Sequence, residues 1–138
     1  MSRFFVIESN TQFEEQMHRA RLLENHGHTE MAVSAFERAS SMTNDARERI
    51  DALAEAERLQ HDPIRKAVLN SRLAVALAAN QSEMTWLAYE KAGDAFHHAG
   101  CPSFAAANYV KAIEMNPPHA SAQVIMAKSA NMATVAVM

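Results

Sequence analysis

The sequence predicts an all-α protein built from seven helices. Its 138 residues include only three glycines and four prolines, and alanine is abundant, so long helices are favoured over strands and turns. Apolar side chains recur at helical spacing between short clusters of turn and capping residues. A chain of this length, about half apolar and about a fifth charged, suits one soluble domain.

The first three helices are predicted from their capping signals. Thr11 and Glu14 match a capping box, so we expect a helix from about residue 12 to 26 that Gly27 stops. Residues 1–10 lack helical periodicity, and we expect an extended N-terminal arm there. A second helix ends near residue 42, and Asp45 caps the third.

Four further helices follow in the second half of the chain. Asp62 with Pro63 predicts a helix to about residue 79. Asn80 with Glu83 predicts the next, to about residue 99. Residue 102 opens a sixth helix, and a seventh runs from about 118 to 134.

Glycine, aromatic and proline residues occur together between residues 86 and 118 at the spacing of a known repeat. The positions that match a known repeat are Gly93, Phe96, Gly100, Ala105, Tyr109, Ala112 and Pro117. This pattern resembles the tetratricopeptide repeat, a helix–turn–helix unit of about 34 residues. A similar but weaker set over residues 13–46 is Gly27, Ala32, Phe36 and Ala39. The middle repeat, 47–80, fits only with an inserted residue.

The resemblance implies a right-handed superhelix of about three helix–turn–helix repeats followed by a C-terminal capping helix, 118–134. All of it would form a single domain over residues 11–138. In this family the first helix of each repeat lines a concave groove that accepts a peptide or a helical segment of a partner.

The groove register assigns a partner-binding surface to one face of the first, third and fifth helices. Its residues are Met17, His18, Arg21, Glu48, Asp51, Glu55, Arg58, Glu90, Lys91, Asp94, His97 and His98. The carboxylates among them favour a partner that carries lysine or arginine. The alternative is that they are solvated helix faces, because Arg21, Arg58 and Lys91 could pair with them.

A specialised form of the family grips a chaperone's C-terminal carboxylate with lysine, asparagine and arginine. The corresponding positions here are Met17, Arg21, Ala52, Leu87 and Lys91. Only two are basic and alanine replaces the asparagine, so the sequence argues against that clamp.

Nothing in the sequence supports catalysis, and we expect neither an enzyme nor a cofactor. Asp94, His97 and His98 share a helical region, but further metal ligands are not evident, and a hydrated cluster or a pH-sensitive contact is favoured. The sequence contains no phosphate-binding loop, zinc-protease motif or nucleophile elbow.

We therefore predict a non-catalytic, cytoplasmic adaptor or chaperone-like module that binds a protein or peptide. Alternatives are a bacterial secretion-type chaperone for a client protein, and a self-assembling structural protein whose apolar termini, 4–7 and 134–138, pack on a neighbour. A net charge of −3 argues against nucleic acid as a partner. The single cysteine, Cys101, favours an intracellular location, and no apolar stretch is long enough for a membrane span.

Overall fold

The computed structural model describes the backbone of residues 2–137 and the side chains of residues 11–135. Over residues 2–137 it contains helices and turns and no strand, which confirms the all-α prediction. The helices are α1 (Ser2–Asn25), α2 (Thr29–Ser41), α3 (Ala46–Leu59), α4 (Pro63–Ala79), α5 (Thr85–His98), α6 (Pro102–Glu114) and α7 (His119–Val137). None of the described helices is both long and apolar enough to cross a membrane.

The helices form two compact units, divided between Gln60 and His61. In the first unit, α2 packs against both α1 and α3. In the second, α4 packs on α5, α5 on α6 and α6 on α7. The division falls inside the range 47–80 that the sequence assigns to the middle repeat. The single-domain and superhelix assignments stay predictions.

Two helix starts occur where the capping residues predict them. The Asp45 carboxylate accepts the backbone N–H groups of Arg47 and Glu48, at 2.8 and 3.1 Å. The Asp62 carboxylate accepts the N–H of Arg65 at 2.9 Å, and proline occupies the first position of α4. These bonds satisfy amides that have no partner within the helix.

Gly27 and Gly100 end α1 and α5 with the same hydrogen-bond pattern. Their φ angles are +80° and +78°, in the left-handed region that favours glycine. The N–H after each glycine donates to a carbonyl five residues back: His28 to Leu23 and Cys101 to Phe96, both at 2.9 Å. This is the Schellman arrangement. The two turns that the sequence aligns are therefore alike in backbone geometry.

The extended arm predicted over residues 1–10 is wrong for residues 2–10, which form the first turns of α1. Thr11 accordingly lies inside a helix and is not its N-cap. Starting a new helix is unfavourable, because several residues must be ordered for the first hydrogen bond. Extending an existing helix adds one hydrogen bond for each residue ordered, so it can occur even where the apolar periodicity is weak. The packing of residues 4–7 on a neighbour stays a prediction, because their side chains lie outside the described set.

The start predicted for α5 at Asn80 is also wrong, because Asn80 is the C-cap of α4. Gln81 adopts a φ of 53°, which ends α4, and α5 begins only at Thr85. Ser82 shapes the turn between them. Its hydroxyl accepts the N–H of Met84 at 3.1 Å, and its carbonyl accepts the Thr85 hydroxyl at 2.7 Å.

Small residues at the predicted repeat positions are buried where helices meet. Ala32 and Ala39 are fully buried in the first unit, as are Ala105 and Ala112 in the second. The large apolar side chains between the helices are Phe36 in the first unit and Phe96 and Tyr109 in the second. Pro117 is half-buried in the turn before α7.

Gly93 is the tightest of these positions. A Cβ atom there would lie 2.5 Å from Cε1 of Tyr109 and 2.7 Å from Cδ1, closer than real Cβ atoms approach a neighbour. The tyrosine ring of α6 therefore packs directly on the α5 backbone, and only glycine leaves room for it.

We expect Gly93→Ala to lower the free energy of unfolding by about 1–2 kcal/mol, because the overlap with Tyr109 outweighs the better helix propensity of alanine. Urea unfolding followed by circular dichroism measures this change. In a Tyr109→Leu background the same substitution should become neutral or stabilising. A rise in stability on the wild-type background would contradict the packing described.

Candidate functional site

A cleft between α1 and α3 brings together four of the predicted groove residues of the first unit, Met17, Arg21, Asp51 and Glu55. We call it the α1–α3 cleft; its volume is about 430 Å³, and its lining residues are Phe13, Glu14, Met17, Arg21, Asp51, Ala54 and Glu55. It opens because α2 holds α1 and α3 apart by packing against both. The volume lies within the range of small-ligand and side-chain pockets.

The cleft has an apolar floor and a charged rim. Phe13 and Met17 are buried, with Met17 only 3% exposed. Met17 is therefore part of the floor and contributes little free surface. Glu14, Arg21 and Asp51 are exposed at the rim, and none of the three side chains makes a hydrogen bond or ion pair with another residue whose side chain the structure describes.

Arg58 bridges the two walls near one end of the cleft. Its Nη2 donates to the Glu55 carboxylate at 2.7 Å and to both oxygens of Glu24 at 3.0 Å. The hydrogen bond to Glu55, followed by that to Glu24, raises the pKa of the guanidinium. Glu55 is therefore already paired, and it offers a partner less uncompensated charge than Asp51 does.

Glu48 does not belong to the cleft. Its carboxylate accepts the hydroxyl of Thr43, in the turn before α3. Thr43 also accepts the N–H of Asp45 at 3.0 Å. Glu48 thus stabilises the start of α3. His18 is an exposed residue of α1 outside the set that lines the cleft.

In the second unit, two predicted groove carboxylates form ion pairs with a lysine from α7. Glu90 and Asp94 are one turn apart on α5, where like charges repel. Lys128 donates to Glu90 at 2.9 Å and to Asp94 at 3.1 Å. The Tyr109 hydroxyl also donates to Asp94, at 2.6 Å. These four side chains, which we call the Lys128 cluster, join α5, α6 and α7.

The surroundings of the Lys128 cluster shift two of its pKa values upward. Burial disfavours the charged form of Lys128, but hydrogen bonds to Glu90 and Asp94 outweigh it and raise the pKa of the ammonium. Burial is also the largest cause of the raised pKa of Tyr109, followed by its hydrogen bond to Asp94 and the nearby negative charges. Both groups therefore hold their protons more tightly in the folded protein.

The remaining groove residues of α5 are exposed. Lys91, His97 and His98 lie at the surface, and the two imidazole rings are 5.8 Å apart and tilted. Asp94, the carboxylate proposed to act with them, bonds Tyr109 and Lys128. Among the described residues, no group of three or more histidine, cysteine, aspartate or glutamate side chains is placed to hold a metal ion.

Lys128 is the important residue that the sequence analysis did not identify. It is the only lysine, arginine, aspartate or glutamate between 119 and 137. An isolated charge in a helix that otherwise lacks these four residue types indicates that the side chain could pair with another helix. Its two partners, 34 and 38 residues earlier, could not be read from the sequence.

Comparison with protein-family models gives no match, and comparisons with curated proteins and with solved structures give no significant match.

We expect Lys128→Met to destabilise the second unit by about 1–2 kcal/mol, since Glu90 and Asp94 lose their counter-charge in a partly solvated site. Amide hydrogen exchange should accelerate in α7 more than in α4. Lys111→Met is a matched control, because Lys111 is exposed on α6 and makes no ion pair within the described residues. Equal effects of the two substitutions would show that the Lys128 cluster does not hold α7.

Stability should fall as the pH rises above about 10. The folded state binds the Tyr109 proton more tightly than the unfolded chain, whose tyrosine has the ordinary pKa of 10.0. That contribution is therefore complete below pH 10 and is lost progressively above it. Lys128, with an ordinary pKa of 10.5, acts in the same direction.

Denaturant titrations between pH 8 and about 11 measure this loss. Tyr109→Phe should flatten the decline. Tyr89→Phe should flatten it less, because the pKa of Tyr89 is raised by burial and by the charge of Glu114 without a hydrogen bond to a carboxylate. A decline that Tyr109→Phe leaves unchanged would contradict this assignment.

Proposed function

We propose that this protein is a non-catalytic interaction module in which the α1–α3 cleft holds a short segment of a partner protein. The bound segment places a lysine or arginine side chain between Glu14 and Asp51, with apolar neighbours on the floor. The scaffold would be tetratricopeptide-like, with α1 and α3 as first helices of successive repeats.

The scaffold part of the proposal is supported by internal similarity. The turns at Gly27 and Gly100 share one hydrogen-bond pattern, and each is followed by a helix with small residues buried at matching offsets. Ala32, Phe36 and Ala39 follow Gly27 by five, nine and twelve residues. Ala105, Tyr109 and Ala112 follow Gly100 by the same intervals. Two segments of different sequence thus fold alike, as repeats do.

The observation that carries the binding proposal is the uncompensated charge at the cleft rim. Asp51 and Glu14 are exposed at the walls of a concave site, and neither carboxylate has a partner among the described side chains. The one rim cation, Arg21, makes no ion pair with them. A ligand cation placed between two carboxylates within a Debye length gains attraction from both. The buried floor of Phe13 and Met17 adds apolar contact.

The same reasoning places the basic side chain in the first unit. Lys128 pairs with both Glu90 and Asp94 and offsets one of their two negative charges, so each attracts a cationic partner less than Asp51 or Glu14 does. Glu55 is paired with Arg58. The preference for a basic partner therefore rests on one predicted carboxylate, Asp51, together with Glu14, and not on the whole predicted groove.

Fluorescence anisotropy with a labelled peptide tests the proposal. The probe carries one lysine flanked by leucines, and a second probe has glutamine in place of lysine. We expect the wild-type protein to prefer the lysine probe, and Glu14→Lys with Asp51→Lys to weaken its binding about tenfold, because each reversal replaces attraction with repulsion.

Glu83→Lys with Glu114→Lys is the matched control, since it changes net charge equally at exposed positions of the second unit. It should leave binding of the lysine probe within about twofold of wild type, because screening weakens distant surface charges. Equal losses of lysine-probe binding in both double variants, or no preference between the two probes, would contradict the cleft assignment.

A further inference from the structure

A second concave surface lies on the other side of α1, between α1 and α2. We call it the α1–α2 groove; it encloses about 480 Å³ and shares no lining residue with the α1–α3 cleft. Its charged residues are Arg19, Arg38 and Glu30, and Leu23 and Met31 supply its main apolar surface. None of these residues belongs to the partner-binding set that the sequence predicts.

The two arginines are uncompensated. Neither the Arg19 nor the Arg38 side chain makes a hydrogen bond or ion pair with another residue in the range 11–135, whose side chains the structure describes. Glu30 lines the same groove but lies beyond pairing distance of both. Guanidinium groups bind carboxylates well because their donors form a planar fork that matches two oxygens.

A buried amide lies between the arginines. Gln16 is only 6% exposed, and its Nε2 donates to the carbonyl of Ala35 across the groove at 3.4 Å. With Nε2 directed to Ala35, the Oε1 atom accepts no hydrogen bond from another described residue. Every buried side-chain oxygen among the described residues has a partner, so Oε1 keeps contact with the groove, where it can accept a ligand N–H.

The order of these groups along the groove follows from helix geometry. The contact between Gln16 and Ala35 fixes the alignment of α1 and α2, which run in opposite directions through the short Gly27 turn. Arg19 is three residues beyond Gln16 toward that turn, and Arg38 is three residues beyond Ala35 away from it. The two Cα positions are therefore about 9 Å apart along the helix axes, with the Gln16 amide between them.

We propose that the α1–α2 groove binds an extended acidic segment of a partner protein, with carboxylates on Arg19 and Arg38 and an apolar side chain on Leu23 and Met31. Alternate residues of an extended chain project to the same side about 7 Å apart, within reach of two flexible arginine side chains. The backbone N–H between the carboxylates donates to Oε1 of Gln16. The next ligand side chain on the same side of the extended segment then lies beside Leu23, which is one helical turn beyond Arg19 on α1.

The apolar end of the groove favours protein over nucleic acid. Met31 is 58% exposed and Leu23 is half-buried beside Glu30, a carboxylate that would repel a continuous run of phosphates. The net charge of −3 opposes a polyanion in general. A segment with only two carboxylates followed by an apolar residue avoids that repulsion.

Anisotropy with a labelled peptide carrying glutamate, serine, glutamate, serine and leucine in that order tests the inference. The same peptide with glutamines in place of glutamates is the neutral probe. We expect wild type to bind the acidic probe at least about tenfold more tightly than the neutral one. Arg19→Glu with Arg38→Glu should remove that difference, because each reversal repels a ligand carboxylate.

Two controls separate specific binding from general electrostatics. Arg47→Glu with Arg65→Glu changes net charge equally at exposed positions outside the groove and should keep most of the affinity. Gln16→Leu should weaken binding of the acidic probe, because it removes the amide acceptor while it leaves the two arginines in place. Equal losses in both double variants, or no binding of the acidic probe to wild type, would overturn the inference.

A short oligothymidylate distinguishes phosphate from carboxylate recognition. If it binds at least as tightly as the acidic peptide, and Arg19→Glu with Arg38→Glu abolishes that binding, the assignment to a protein segment is wrong. The lysine probe of the α1–α3 cleft should bind the Arg19→Glu, Arg38→Glu variant at least as well as wild type. Failure of one surface is therefore distinguishable from failure of the other.

Discussion

Helices can pack at short range only where the side chains between them are small, and the rest of this structure depends on that constraint. In the first unit, Ala20, Ala32 and Ala39 are fully buried, and in the second, Ala67, Ala105 and Ala112 are. At Gly93 even a methyl group would be too large, because the Tyr109 ring lies against the backbone. Alternating such close contacts with single large side chains fills the interior without voids.

The same packing positions both binding surfaces. Because α2 contacts α1 on one side and α3 on the other, α1 and α3 are separated by the α1–α3 cleft. The α1–α2 groove lies between α1 and α2. Helix α1 therefore contributes a wall to each proposed surface from a different face, and the two surfaces share no lining residue.

Internal pairing then decides which charges remain for a partner. Arg58 pairs with Glu24 and Glu55, and Lys128 pairs with Glu90 and Asp94, so each cation offsets one of two carboxylate charges. Among the surface charges without such a pair, Glu14 and Asp51 outnumber Arg21 on the cleft side of α1, and Arg19 and Arg38 outnumber Glu30 on the groove side. A chain with a small net charge can thus present two surfaces of opposite preference, because attraction is set by charges within a Debye length.

The sequence by itself determined the helices and their limits wherever a local signal was strong. Asp45, Asp62 and Gly27 act on amides and carbonyls within a few residues of themselves, so their effects can be read from the chain. Weak local signals failed: residues 2–10 extend α1, and Asn80 ends α4 instead of starting α5.

The binding residues required the tertiary structure, and the physical reason is the range of the interactions involved. Asp51 and Asp94 look alike in the sequence, as exposed acidic residues on first helices. Only the fold brings Lys128 to Asp94, across 34 residues, and leaves Asp51 without a counter-ion among the described side chains. Arg19 and Arg38 likewise become one surface only when Gln16 of α1 is placed against Ala35 of α2.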